Sequence, residues 1–272
     1  MSDYKQVEFE HLSNDQKEII IALLSEEGYE GFEEEGDLLK SFISFPKFNE
    51  ENLRAIAKQQ QVSFSVSGIT DRNWNKEWES NFDPVIIDEF AGIRADFHAP
   101  VKNVKHEIVI TPKMSFGTGH HATTGMMIKM MSGINFTGKR VLDFGTGTGI
   151  LAILAEKSGA GEIIAIDNDE RSIENAEENL QRNQCKKIHL IKADSAKMDG
   201  QFDIILANII KNIILANFPD FSKQLVPNGV LLLSGLLKDD EKEILQTATI
   251  NKMSEKRKIE EQNWICLEMS MK

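Results

Sequence analysis

Between positions 141 and 149 the chain reads Val141-Leu142-Asp143-Phe144-Gly145-Thr146-Gly147-Thr148-Gly149, an apolar run ending in three alternate glycines, and it continues into Ile150-Leu151-Ala152. A strand core that passes at once through a glycine-rich turn into a helical pattern constrains the fold more than any other stretch. Glycine has no Cβ and tolerates positive φ, so such a turn lets a ligand approach the backbone closely at a helix N-terminus. A nucleotide-like ligand is expected there. Asp167 ends the next apolar run, 22 residues after Gly145, where a carboxylate can accept hydrogen bonds from ribose hydroxyls.

Around this turn the pattern alternates strand and helix to the end of the chain. Strands are expected at 93–97, 107–111, 140–143, 162–167, 188–192, 202–207, 230–233 and 265–269, with helices at 149–158, 170–183 and 211–225. Continuous apolar cores such as Ile204-Ile205-Leu206 and Leu231-Leu232-Leu233 predict strands covered on both faces, as in a doubly wound, mostly parallel sheet. The fold class is therefore α/β, a Rossmann-like domain.

The first quarter of the chain follows a different rhythm. Ser13 and Gln16 form a capping box ahead of Ile19, Ile20, Leu23 and Leu24, and Asn49 opens a second helix with Leu53, Ile56 and Ala57 inward. Strands at 31–35 and 38–45 flank a Gly36-Asp37 turn, and 62–66 alternates as a last strand. The order is that of a small α+β, ferredoxin-like domain. The expected organisation is a small domain at 1–68 without a catalytic signature, an interdomain connector at 69–88 and an α/β domain at 89–272 that carries the glycine turn. Trp74 and Trp78 lie four apart in the connector, where one helical face can pack them together.

Glycine spacing alone leaves two ligands open, because Gly147-Thr148-Gly149-Ile150-Leu151-Ala152 also fits the nicotinamide dinucleotide fingerprint of a dehydrogenase. Asp143 tips the balance. A carboxylate before the turn repels a pyrophosphate and suits a cofactor with a cationic sulfonium and an amino group. Ser115-Phe116-Gly117-Thr118-Gly119-His120-His121-Ala122-Thr123-Thr124 reads as a loop over that cofactor, with Phe116, Thr118 and Thr124 as candidate contacts and the threonines as caps of the following helix. Gly147 belongs to the cradle itself. Asn208, at the carboxyl end of a buried strand, offers an amide that can orient an amine or the cofactor's amino acid moiety, or else simply caps the following helix. Asp194, after the third strand, is placed either to reach the adenine side or to stand as a solvated loop carboxylate.

No metal is expected, since adjacent histidines point apart and Cys185 and Cys266 have no ligand spacing around them. A net charge of −12 disfavours a grip on nucleic acid phosphates. Residues 1–10 lack the apolar run of a signal peptide and no stretch reaches membrane-spanning length, so a cytoplasmic protein is expected, acting as a monomer.

At Trp74-Asn75-Lys76-Glu77-Trp78, Phe82-Asp83-Pro84, Phe116-Gly117-Thr118-Gly119, His121, Thr123-Thr124, Asp143-Phe144-Gly145-Thr146-Gly147 and Ala207-Asn208-Ile209 the sequence resembles the ribosomal protein L11 methyltransferases, the PrmA family. The resemblance covers essentially the whole chain. It implies a class I methyltransferase domain that uses S-adenosylmethionine to modify lysine side chains and the N-terminal amine of that ribosomal protein. It further implies cofactor contacts at Thr124, Gly145, Asp167 and Asn208. Thr111, Pro112 and Lys113 stand where the family usually has an acidic residue, proline and glycine. The acidic cluster Glu26, Glu27, Glu30, Glu33, Glu34, Glu35 and Asp37 suits a basic protein partner or a solvated face. Rival readings are a methyltransferase for another protein, nucleic acid or a small molecule, a nicotinamide-dependent dehydrogenase, and a non-enzymatic adaptor. Ile209-Ile210 after Asn208, in place of the Pro-Pro-aromatic run of enzymes that methylate base amines, weighs against nucleic acid.

Overall fold

In the computed structural model, which describes residues 4–29, 31–68, 83–111 and 119–271, Ser13 closes the expected reciprocal capping box with Gln16. That box starts α1 (Asn14–Glu26). Asn49 accepts from the Glu51 and Asn52 amides and starts α2 (Glu50–Gln60), which Gln61 ends in a left-handed conformation. The two helices follow strands in the order β1 (Tyr4–Phe9), α1, β2 (Gly31–Glu35), β3 (Leu38–Ser44), α2, β4 (Phe64–Gly68). The strands form one antiparallel sheet in the order β2-β3-β1-β4. Alternation along β3 buries Leu39 and Ile43 against Val7, Phe9, Ile20, Leu24 and Leu53. The last strand begins two residues later than its apolar pattern predicts.

The chain divides into two compact units, Met1–Asn81 and Phe82–Lys272. Trp74, Trp78 and most of the expected connector lie outside the described residues. Its final residues include a strand, β5 (Val85–Ile87), which pairs antiparallel with β6 (Ala91–Ala95); β6 pairs parallel with β7 (His106–Ile110).

The rest of the second unit is a seven-stranded sheet made of β8 (Arg140–Phe144), β9 (Glu162–Asp167), β10 (Ile188–Lys192), β11 (Phe202–Asn208), β12 (Leu225–Leu237), β13 (Met253–Glu261) and β14 (Trp264–Met271), in the order β10-β9-β8-β11-β12-β14-β13. β8 to β12 run parallel and β14 enters antiparallel between β12 and β13. Both faces are covered. On one, α3 (Ala122–Met131) and α4 (Ile150–Lys157) bury Met126, Met127, Met130, Ile153 and Leu154, and α5 (Glu170–Arg182) adds Leu180. On the other, α6 (Lys211–Gln224) and α7 (Glu241–Ile250) bury Ile214, Phe218, Phe221, Ile244 and Ala248. Coverage on both sides is why β8, β9, β11 and the end of β12 read as unbroken apolar runs. Strand order reverses between β8 and β11, so the loops at their carboxyl ends diverge and leave a crevice. Among the described residues no helix is long and apolar enough to cross a membrane.

Candidate functional site

The glycine turn connects β8 to α4, and three of its residues, Gly145, Gly147 and Gly149, have φ of 74°, 54° and 79°, which side chains with a Cβ rarely adopt. Its shape is fixed from beneath and beside. Asp143 Oδ2 accepts from the Thr146 hydroxyl at 2.6 Å and from the Ala152 amide at 3.2 Å, tying the turn to the first residues of α4. The Gly145 and Thr146 amides both donate to the Ile166 carbonyl at 2.9 Å. Asp167 Oδ2 accepts from the Gly147 amide at 2.9 Å, and its Oδ1 accepts from the Asp169 amide at 3.0 Å.

Above this turn, at the carboxyl ends of the parallel strands, lies a cavity of about 430 Å³. Its lining brings together Thr124, Gly145, Gly147, Asp167, Asp194 and Asn208, six of the residues singled out from sequence. Phe116 and Thr118 lie outside the described residues, as do four of the ten residues of the expected loop, 115–118. Asp143 is not in the lining. Burial pushes its carboxyl up to about 7, the Asp167 charge adds to the rise, and the Thr146 and Ala152 bonds oppose it. The charge of Asp143 can therefore act on a ligand only from beneath the turn, and its two bonds shape the loop.

Asn208 is 9% exposed; its Nδ2 donates to the Thr124 hydroxyl at 3.3 Å, and its buried Oδ1 has no partner among the described residues. An orphaned buried acceptor costs about 1–3 kcal/mol unless a ligand supplies a donor. The sequence suggests Thr123 and Thr124 as caps of α3. The cap is instead His121, whose Nδ1 accepts from the Thr123 amide at 3.3 Å, and this frees the Thr124 hydroxyl for Asn208.

Trp264, His121, Ser172, Ile209, Ile210, Ile213 and Gly235 also line the cavity. The His121 and Trp264 rings meet edge to face, with centroids 4.9 Å apart. Trp264 carries no motif; it arrives because β14 pairs with the far end of β12, a long-range register no local pattern encodes. Gly235 breaks that register, with φ of 81°, and a Cβ there would fall 2.3 Å from the Ile209 carbonyl oxygen. The segment after Asn208 can therefore lie flat across β12. Ile210 is 66% exposed and Ile213 42%, so the cavity's lip is apolar.

S-Adenosylmethionine fits these groups. Asp167 keeps lone pairs beyond its two backbone partners for ribose hydroxyls, and the two lone pairs of Asn208 Oδ1 have room for an N–H of the cofactor's amino group and one of an incoming amine. A dinucleotide-binding sheet runs 3-2-1-4-5-6, whereas here an antiparallel strand is inserted before the last one. Among the described residues no three His, Cys, Asp or Glu side chains are grouped as metal ligands.

Residues 6–272 match the family model described as ribosomal protein L11 methyltransferase (PrmA). The chain is 34% identical over 263 residues to the ribosomal protein L11 methyltransferase of Phocaeicola vulgatus, covering 94% of each chain. With that of Chlorobaculum parvum it shares 39% identity over 243 residues, covering 85% of this chain and 84% of the relative. Among solved structures, the ribosomal protein L11 methylase of Lactobacillus delbrueckii subsp. bulgaricus superposes with a TM-score of 0.66 at 31% identity, covering 70% of this chain and all of that one. A methyltransferase of Pyrococcus furiosus shares the fold, with a TM-score of 0.52 at 20% identity over 60% of this chain and 88% of its own.

Proposed function

The chain belongs to the ribosomal protein L11 methyltransferase family, and from that premise we propose that it moves methyl groups from S-adenosylmethionine to lysine side-chain and N-terminal amines of ribosomal protein L11. The observation that carries the reading is the cavity at the carboxyl ends of β8, β9 and β11, with a carboxylate and an orphaned amide oxygen on its wall.

When bound, the cofactor supplies a methyl group on a positively charged sulfur. The chain's residues bind, orient and desolvate. Asp167 takes the ribose hydroxyls, the Gly145–Gly147 backbone lies against the cofactor, Asp194 faces the adenine side, and Thr124 closes the wall opposite, with Phe116 and Thr118 as further contacts. Asn208 is the catalytic residue: its Oδ1 accepts an N–H of the incoming amine and turns the nitrogen lone pair toward the methyl carbon. A lysine amine, with a reference pKa of about 10.4, attacks only after losing its proton. The apolar lip of Ile209, Ile210, Ile213 and Trp264 favours the neutral amine by removing water. An in-line displacement of this kind needs no metal and no covalent enzyme intermediate.

The exposed Glu33, Glu34 and Asp37 at the edge of the small sheet offer negative charge to a basic partner, which supports residues 1–68 as the substrate-selecting part. The same reading puts the protein in the cytoplasm, as a monomer acting on free protein without nucleic acid.

The test is the intact mass of unmodified ribosomal protein L11 from the same source after incubation with the enzyme and S-adenosylmethionine. Whole methyl-group steps that vanish without cofactor are expected. No change, in the presence of calorimetrically proven cofactor binding, would send the search to another acceptor.

A further inference from the structure

The carbonyl of Thr148, between the last two glycines of the turn, is gripped from α5. Asn179, fully buried, donates from Nδ2 to that carbonyl at 2.9 Å, and its Oδ1 accepts from the Thr111 amide, just past the end of β7, at 2.7 Å. One side chain thus joins the cofactor turn to the strand that leads toward α3. The helix is held close enough to do this because its small and branched residues pack onto the turn. A Cβ at Gly149 would lie 3.4 Å from Ala176 Cβ and 3.1 Å from Leu180 Cδ1.

One turn further on, Asn183, the C-cap of α5, makes a similar pair of bonds, accepting from the Val109 amide at 3.0 Å and donating to the Val109 carbonyl at 2.6 Å. Asn183 therefore closes the edge of β7 as a neighbouring strand would, without touching the glycine turn. The two asparagines separate two jobs. With Asp143 on Thr146 and Asp167 on Gly147, a bond from Asn179 to Thr148 means that three consecutive turn residues are each fixed by a different buried or half-buried side chain.

We propose that Asn179 is a positioning residue for cofactor binding: by holding the Thr148 carbonyl back, it keeps the glycine turn in the shape that receives S-adenosylmethionine, and it sets that turn against the end of β7. The proposal rests on the reading that the cavity holds this cofactor. A peptide that rotates its carbonyl into the cavity would occupy ligand space and present an acceptor where the turn should offer open backbone.

The experiment compares the full-length wild type with Asn179→Asp and Asn183→Ala, measuring S-adenosylmethionine affinity by calorimetry and thermal stability at pH 8 and at pH 5.5. The aspartate keeps the acceptor for Thr111 but has no donor for Thr148 until its carboxyl is protonated, which burial favours at the lower pH. Expected is a roughly tenfold or greater weakening of binding by Asn179→Asp at pH 8, a fold-change of the size one buried hydrogen bond gives, with most of it recovered at pH 5.5 relative to wild type. Asn183→Ala lowers the melting temperature with affinity unchanged. Equal affinity for wild type and Asn179→Asp at pH 8, or an equal loss in both variants, would overturn the proposal. If Asn179→Asp does not fold, Asn179→Ser is read by the same affinity comparison at pH 8. A wild type that binds no S-adenosylmethionine would remove the cofactor reading, and this proposal with it.

Discussion

Two of the buried polar atoms that lack partners among the described residues, Asp143 Oδ1 and Asn208 Oδ1, stand on opposite sides of the turn's function. Asn208 lines the cavity, where a ligand donor can recover its cost. Removing it by Asn208→Ala is expected to lower turnover about 100-fold, the scale on which misplacing a reacting group acts, in a methyl-transfer assay at saturating cofactor. Unchanged turnover together with unchanged cofactor affinity would remove the residue from the mechanism. Asp143 is shut away from the ligand, and its cost shows in stability. Its carboxyl titrates at about 7 in the folded protein and near 4 when unfolded, so between those values the native state holds the extra proton. The sign follows: this group's contribution is most favourable below pH 4 and is lost as pH rises to 7. An amide in its place cannot ionise, yet its carbonyl can still accept from Thr146 and Ala152. Asp143→Asn is therefore expected to flatten the slope over that range and to be more stable than wild type at pH 8 by about 1–4 kcal/mol, since each tenfold difference in proton affinity between the two states is worth about 1.4 kcal/mol. Urea unfolding at pH 5 and pH 8 measures it; parallel curves for the two proteins would refute it.

At the scale of elements, the loop after β10 is held by buried amides of α6. The Ala196 amide donates to Asn217 Oδ1 at 2.9 Å, while Gln224 accepts from the Met198 amide at 2.7 Å and donates to the Ala196 carbonyl at 2.7 Å. This loop carries Asp194 to the cavity wall. Gln224→Leu, similar in size but unable to make either bond, is expected to cost about 1–3 kcal/mol and to weaken S-adenosylmethionine binding several-fold. Full affinity in a destabilised variant would show that the loop's position does not depend on the bracket. None of this is legible in the sequence, where Asn217 and Gln224 look like polar residues on a helix. The glycine turn, Asp167 and Asn208 are legible because each is a local event: apolar strand, then a special residue at its carboxyl end. β13 escapes a sequence reading because Glu255, Lys256, Arg257 and Lys258 give an edge strand no apolar alternation, and its partners are set by β14. Trp264 escapes it for the same reason, since its place depends on strand pairing over the far side of the sheet. His121 shows in the sequence as a poor metal ligand and not as the cap of α3, because histidine is outside the usual capping set.

Across the whole molecule, the two units have separate cores, and every cavity-lining residue belongs to the second. A ligand that binds only the native form stabilises the unit that holds its site, by about 2.7 kcal/mol at a free concentration 100 times its Kd. For a unit of the size of Phe82–Lys272 each kcal/mol moves the melting temperature by about 2–4 °C, so saturating S-adenosylmethionine is expected to raise its transition by roughly 5–10 °C. None of the lining residues of this cavity belongs to the unit Met1–Asn81, which should melt where it did before. Differential scanning calorimetry of the full chain with and without cofactor separates the outcomes, because the transition that moves should carry the larger enthalpy. If instead both transitions rise together, the two cores are thermodynamically coupled through the cofactor, and the substrate selection proposed for the small unit would then be linked to cofactor occupancy in the large one.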